Sequence, residues 1–476
     1  MTRALAAAAV LAATPPLFAQ APFPPGPGPY DPAVPTPAEA RGFDTGTTFS
    51  TWRDVERVVD AIAAASGRVR VEPYGTTPEN RSLRLAWVTS PAQLARLDSL
   101  RAANRAFLEG ASGELPDDHP VFVWLSFGVH GDEAASTEAA LELLYHLAAA
   151  RDPATVAWLD AAVVVIDPLL NPDGHERYAA WYRSVAGPAP DPDPEAREHR
   201  PPWPGGRTNH WNFDLNRDWA WGVQPETRGR RAVYLATLPQ VHVDFHEMDA
   251  GSTYFFFPPA QPVHVLYPES TDRWGRVFGE ANARAFDARG WAYYTEEDFD
   301  LFYPGYGDSW PSFYGATGMT YEQAGGGSAG VAIDRPGLGR LTLTERALHH
   351  LVAALTTIET AVAHRTERLA DFADFWRAPG RAAPGAPAVW LLPADDPEAR
   401  ELAALLHAQG IGVDTLAAWS GAADLTPYPH APRAVDSLPP GTLVVRSDQP
   451  LGRYLAALLS PSTALPDTTL FYDVTG

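Results

Sequence analysis

The stretch Val121-Phe122-Val123-Trp124-Leu125-Ser126-Phe127-Gly128-Val129-His130-Gly131-Asp132-Glu133 is an almost unbroken apolar run that stops at a glycine and turns into charged residues. Seven such residues bounded by Gly128 predict a strand buried on both faces, which is how strands of parallel sheets read. The run Glu133–Ala149 after it has the length and composition of a helix. Working outward, the same unit recurs. Val55, Val58, Val59, Ile62 and Ala63 repeat at helical spacing within Thr51–Ala65. Ala162–Ile166 is a second strand. Val241–Phe245 is a third, preceded by a helix around Glu226–Leu238. Gly318–Tyr321 is a fourth, preceded by a helix around Ser270–Ala288, and a long helix lies within Thr344–Phe375. Alternating strands and helices predict an α/β fold with a mostly parallel, mixed sheet and flanking helices.

The chain has 476 residues, a formal charge of −22 and 45% hydrophobic residues, enough for more than one domain with a sizeable core. All 36 basic residues are Arg and there is no Cys. That composition excludes Schiff-base and P-loop lysine chemistry, thiol nucleophiles, disulfides, zinc fingers and iron–sulfur clusters. Any metal must be held by His, Asp and Glu. The acidic balance argues against a nucleic-acid partner, because neutralising phosphates needs a basic surface.

Met1–Ala21 reads as a signal peptide, with basic Arg3, the apolar run Ala4–Ala13 and small residues at Ala19-Gln20-Ala21. A secreted or periplasmic protein is therefore expected, and no other stretch is apolar enough to span a membrane. Residues 22–37 are dense in Pro and Gly and read as a linker. Residues 38–376 form the main domain, and 377–387, rich in Pro, Gly and Ala, form a second linker. Residues 388–476 read as a smaller α/β domain of unassigned role, with strands at Ala388–Leu392, Gly412–Leu416 and Thr442–Arg446 and a helix at Pro397–Gln409. The chain ends at Gly476 directly after a strand-like run, which leaves the completeness of that unit open.

His130 and Glu133 form an H-x-x-E pair at a strand-to-helix turn, where an imidazole and a carboxylate three residues apart can face one point. Three further pieces follow in order: Asn171-Pro172-Asp173-Gly174, then Asp214-Leu215-Asn216-Arg217, then His246 at the end of the run Val241-His242-Val243-Asp244-Phe245. Together, over roughly residues 43–369, these resemble the zinc metallocarboxypeptidases of the carboxypeptidase A type.

That resemblance implies one Zn²⁺ ion on His130, Glu133 and His246, the two-His, one-Glu set of carboxypeptidase A. His242 is a rival third ligand, but it sits four residues earlier on its strand, about 13 Å back from the end of the sheet. Asp214 matches the carboxylate that orients the first zinc His. Asn216 and Arg217 match the pair that grips a substrate's terminal carboxylate, a task suited to a planar guanidinium. Glu322, at the end of Gly318–Tyr321, matches the general base. Arg207 matches the oxyanion-stabilising Arg, with Arg200 as its rival. Tyr303 and Tyr306 both qualify as the substrate-contacting Tyr. Asp308, two residues before Trp310, stands where an acid in the family marks a preference for basic side chains. Glu247 departs from the pattern, which often has Ser after the third ligand.

The function expected is a zinc-dependent carboxypeptidase that hydrolyses C-terminal peptide bonds, with a peptide or protein C-terminus as partner. A related zinc deacylase or cell-wall-peptide amidase would share the metal site without needing the Asn216–Arg217 grip. A non-catalytic peptide-binding protein on the same fold is the reading from another class.

Overall fold

The computed structural model describes residues 28–111, 113–377, 385–428, 430–463 and 465. The Met1–Ala21 segment, most of 377–387 and the final run to Gly476 lie outside them.

Seven strands form the central sheet: β1 (Val69–Thr76), β2 (Ser82–Val88), β3 (Val121–Phe127), β4 (Ala162–Asp167), β5 (Val241–Met248), β6 (Tyr254–Phe255) and β7 (Thr317–Ala324). Their order is β1-β2-β4-β3-β5-β7-β6. The four middle strands β4-β3-β5-β7 run parallel. Every residue of β3 and β4 is buried, which explains their continuous apolar sequence. The antiparallel edge pair β1–β2 goes beyond the strands expected from sequence. β1 carries Pro73 and Gly75 and is only half buried, so it lacks the apolar run that marks the middle strands.

Helices α1 (Trp52–Ala65), α2 (Ala134–Ala149), α3 (Pro172–Val185), α4 (Pro225–Leu235), α5 (Ser270–Asp287), α6 (Leu343–Ala363) and α7 (Arg365–Arg377) cover the sheet. α6 begins with a capping box in which Thr342 and Glu345 each satisfy the other's backbone N–H. The long helix expected within Thr344–Phe375 is α6, and the chain leaves helical geometry at His364 before α7 begins. Arg368 of α7 is buried and donates to Gln240 O at 3.0 Å, tying that helix to the start of β5.

Residues 28–37 are not a free linker. Tyr30 stacks on Tyr145 with ring centroids 5.1 Å apart, and its hydroxyl lies 2.9 Å from His146 Nδ1. The C-terminal unit is built on an antiparallel three-stranded sheet, Val389–Leu392, Leu443–Arg446 and Asp414–Thr415. It also holds a hairpin, Trp419–Leu425 with Arg433–Leu438, that hydrophobic patterning does not reveal. Its polar, mostly exposed residues explain that omission.

His242, the rival ligand, lies within the core of β5. Its ring packs against Trp124, Trp219 and Tyr234, and neither ring nitrogen has a hydrogen-bond partner among the described residues. Burial pushes its pKa down to about 3. An unfolded His titrates near about 6.5, so the unfolded chain takes up the proton first and stability is lost as pH falls below that value. His242→Phe removes this loss. Relative to the parent, its unfolding free energy should rise by about 2 kcal/mol between pH 7 and pH 5 in urea titrations. Parallel curves at the two pH values would contradict the assignment.

Candidate metal and active site

The site is assembled at the C-terminal ends of the parallel strands, where open α/β sheets form a crevice. After β3 the chain turns sharply through Gly128-Val129-His130-Gly131 into α2. Gly131 is required there, since a Cβ would lie 2.1 Å from His175 N at the start of α3. β5 ends in His246, and in the parallel register His246 sits directly beside Glu322 of β7. Paired positions share a face of the sheet, so both side chains project into the same crevice.

His130, Glu133 and His246 converge, all buried. His130 Nδ1 is 2.6 Å from Glu133 Oε1 and 3.2 Å from His246 Nδ1, and His246 Nδ1 is 3.0 Å from Glu133 Oε2. For zinc bonds of about 2.0–2.1 Å, a tetrahedral site has edges of roughly 3.3 Å, close to the longer two of these separations. Both imidazoles present Nδ1 inward and turn Nε2 toward a carboxylate. His130 Nε2 is 3.0 Å from Asp214 Oδ1, and His246 Nε2 is 3.1 Å from Asp244 Oδ2.

The electrostatics point the same way. Burial alone would depress both imidazoles, but Glu133 with Asp214 raises His130, and Asp244 with Glu133 raises His246 well above its ordinary value. Burial works against an ionised Glu133, yet His130 and His246 hold it ionised far below the usual carboxylate range. With the imidazoles neutral, three carboxylates against the guanidinium of Arg207 leave a surplus of negative charge that a bound cation would neutralise. The donor set and its spacing therefore fit a zinc ion.

Glu322 is 8% exposed. Burial, reinforced by Glu133 and opposed by His246, pushes its carboxyl up to about 8. Arg207 grips Asp214 Oδ2 through Nε at 3.1 Å and Nη2 at 2.9 Å, and its Nη1 is 3.2 Å from His130 Nδ1. Arg200, its rival, pairs with Glu195 on the surface. Asn171, in the N-P-D-G motif, donates to Arg207 O at 3.0 Å while capping α3, which is why that motif precedes the site.

Asn216 Nδ2 is 3.3 Å from His246 Nε2, and Asn216 Oδ1 accepts from Gly307 N at 2.7 Å. The Arg217 guanidinium lies 4.7 Å over the Tyr306 ring. The Tyr303 hydroxyl donates to Arg217 O at 3.0 Å and accepts from Trp221 Nε1 at 2.7 Å. Both Tyr residues thus stand against Arg217. Asp308 is buried, and its oxygens accept from Thr320 Oγ1 at 2.9 Å and Ser309 Oγ at 3.0 Å. Burial raises it to about 6. Its carboxylate is taken up inside the fold.

Two residues to which the motifs assign no role belong to the site. Asp244 lies two positions before His246, and strand alternation puts it on the same face, a signal present in the sequence. Glu247 is explained only by packing. Glu133 is the N-cap of α2 but turns its side chain to His130 and His246 and does not cap the helix. Glu247 caps it from another strand, Oε1 accepting from Ala135 N at 2.6 Å, and Oε2 pairs with buried Arg346 at 2.6 Å. In return, Glu247 N donates to Glu133 Oε2 at 2.9 Å.

A family model described as zinc carboxypeptidase matches residues 55–237. Over that stretch the chain is similar to the zinc carboxypeptidase family. Over 235 residues it is 30% identical to "Probable carboxypeptidase 2" of Arthroderma benhamiae, covering 43% of this chain and 39% of that protein. It is 29% identical over 147 residues to "Carboxypeptidase 2" of Trichophyton tonsurans, covering 30% of this chain and 22% of that protein. The matches therefore span well under half the length of these curated relatives. Among solved structures, a metallo-carboxypeptidase from Burkholderia cenocepacia aligns with a TM-score of 0.46 at 18% identity, covering 67% of this chain and 70% of that one. Carboxypeptidase A from Helicoverpa armigera aligns with a TM-score of 0.44 at 14% identity, covering 71% and 76%. The family match ends before His246 and Glu322, so those two rest on the geometry above.

Proposed function

We propose that this protein is a zinc-dependent carboxypeptidase that removes residues from the free C-terminus of peptides. The observation that carries the reading is the meeting of His130, Glu133 and His246 beside Glu322, with Arg207, Asn216 and Arg217 on one neighbouring loop.

His130, Glu133 and His246 would hold the zinc, with Asp214 and Asp244 fixing the two imidazole tautomers. Bound there, zinc would acidify water and polarise the scissile carbonyl. Glu322 takes a proton from the attacking water and delivers it to the leaving amine. Arg207 donates to the developing oxyanion. Asn216 and Arg217 hold the substrate's terminal carboxylate, so the last peptide bond is the one presented. The Met1–Ala21 pattern supports export across a membrane. Among the described residues, no helix is long and apolar enough to cross a membrane.

The test is a pair of peptides differing only in a free or amidated C-terminus. A charge-assisted hydrogen bond contributes about 1.5–3 kcal/mol, so amidation should lower kcat/KM by about 10- to 100-fold. Arg217→Ala should abolish most of that discrimination. Chelation should stop hydrolysis and added zinc restore it. Equal cleavage of both peptides by the parent would favour a deacylase instead, and no hydrolysis with zinc bound would leave a binding protein.

A further inference from the structure

The C-terminal unit meets the rest of the molecule next to Arg217, and one side chain makes the junction. Gln409, the residue after the helix Pro397–Ala408, is fully buried. Its Nε2 donates to Trp219 O at 3.3 Å and also to Ala220 O. Its Oε1 accepts from Trp310 Nε1 at 2.9 Å, and its backbone carbonyl accepts from Tyr314 Oη at 2.7 Å. The amide's donor and acceptor sides are thus both used, across about 190 residues of sequence. Tyr454 of the same unit packs on Phe313 and Tyr314, with ring centroids 5.2 and 5.5 Å away.

These contacts fall on the loop that carries the substrate grip. Trp219 and Ala220 follow Arg217 by two and three residues, and Trp221 holds Tyr303, whose hydroxyl reaches back to Arg217 O. The Trp219 ring lies 5.3 Å from Trp310, so Gln409 joins two segments already in ring contact. A buried amide that satisfies carbonyls on one segment and an indole on another holds both in register, because losing it strands several buried polar groups.

We propose that the C-terminal unit is part of the substrate-binding apparatus, with Gln409 as a positioning residue that braces the Arg217–Trp221 loop. The consequence for substrate rests on the carboxypeptidase reading above; the brace itself does not.

The test uses the full chain with Gln409→Met, which removes the polar contacts at similar volume. Gln409→Glu keeps an acceptor for Trp310 and removes the amide donor, and it serves if the first variant does not fold. Hydrogen exchange should rise about tenfold at the amides of residues 219–223 and stay unchanged in the central strands. KM for a peptide with a free C-terminus should rise about tenfold, with kcat, zinc content and the weak cleavage of the amidated peptide unchanged. Unchanged exchange in the loop would overturn the brace. Raised exchange with unchanged KM would overturn its role in substrate binding. Absence of hydrolysis by the parent chain would instead sink the reading of the site, with the exchange measurement still deciding the brace.

Discussion

Glu322→Gln should lower kcat by about 10²–10⁴-fold, the usual worth of a positioned general base, while one zinc per chain remains bound. The amide keeps the size and polarity of the carboxyl but cannot take a proton from water. Glu322 is outside the cluster of His130, Glu133 and His246. It stands beside that cluster through its register with His246, so its replacement should spare the metal. Burial is the main cause that holds its carboxyl at about 8. A cation among its neighbours favours the ionised form, and zinc binding should therefore bring it toward the range where a base works at neutral pH. Single-turnover kinetics with parallel metal analysis check the prediction. Near-parental turnover would remove Glu322 from the mechanism.

The second large effect is on the metal. His246→Ala should leave less than stoichiometric zinc after dialysis and no measurable turnover, because it takes away one of the three proposed protein ligands. It also strips Glu133 of one of the two imidazoles that keep it ionised. His242→Ala, four residues earlier on the same strand, should retain one zinc per chain, since its ring is enclosed by Trp124, Trp219 and Tyr234. The pair of variants therefore separates the two candidates for the third ligand. Stoichiometric zinc in His246→Ala, or its loss in a folded His242→Ala, would reverse the assignment.

Much of this site is legible in the amino-acid sequence, because its parts are local. A strand that is apolar on both faces must be followed by a turn at the sheet's edge, and the residues of that turn then face the crevice. That argument places His130 and Glu133 at the crevice, and standing at strand ends places His246 and Glu322 there, while their roles as ligands and base come from the resemblance to the zinc metallocarboxypeptidases. Asp244 is equally legible from strand alternation, though it carries no motif of its own.

Other features depend on chain segments far apart in sequence. No local pattern links Glu247 to the first turn of α2 and to Arg346, about a hundred residues away in each direction. Gln409 meets Trp219 and Trp310 only because the C-terminal unit docks there. The exposed hairpin and the edge strand β1 escape sequence patterning for the opposite reason, since a half-exposed strand buries too little to imprint a run of apolar residues. Hydrophobic patterning and short motifs report what each segment buries or turns toward, so the sequence by itself determined the four parallel middle strands and the residues at their ends. Which distant polar groups pair is set by packing free energy summed over the whole fold. Only the tertiary structure could decide how the ligands are held and what braces the loop beside them.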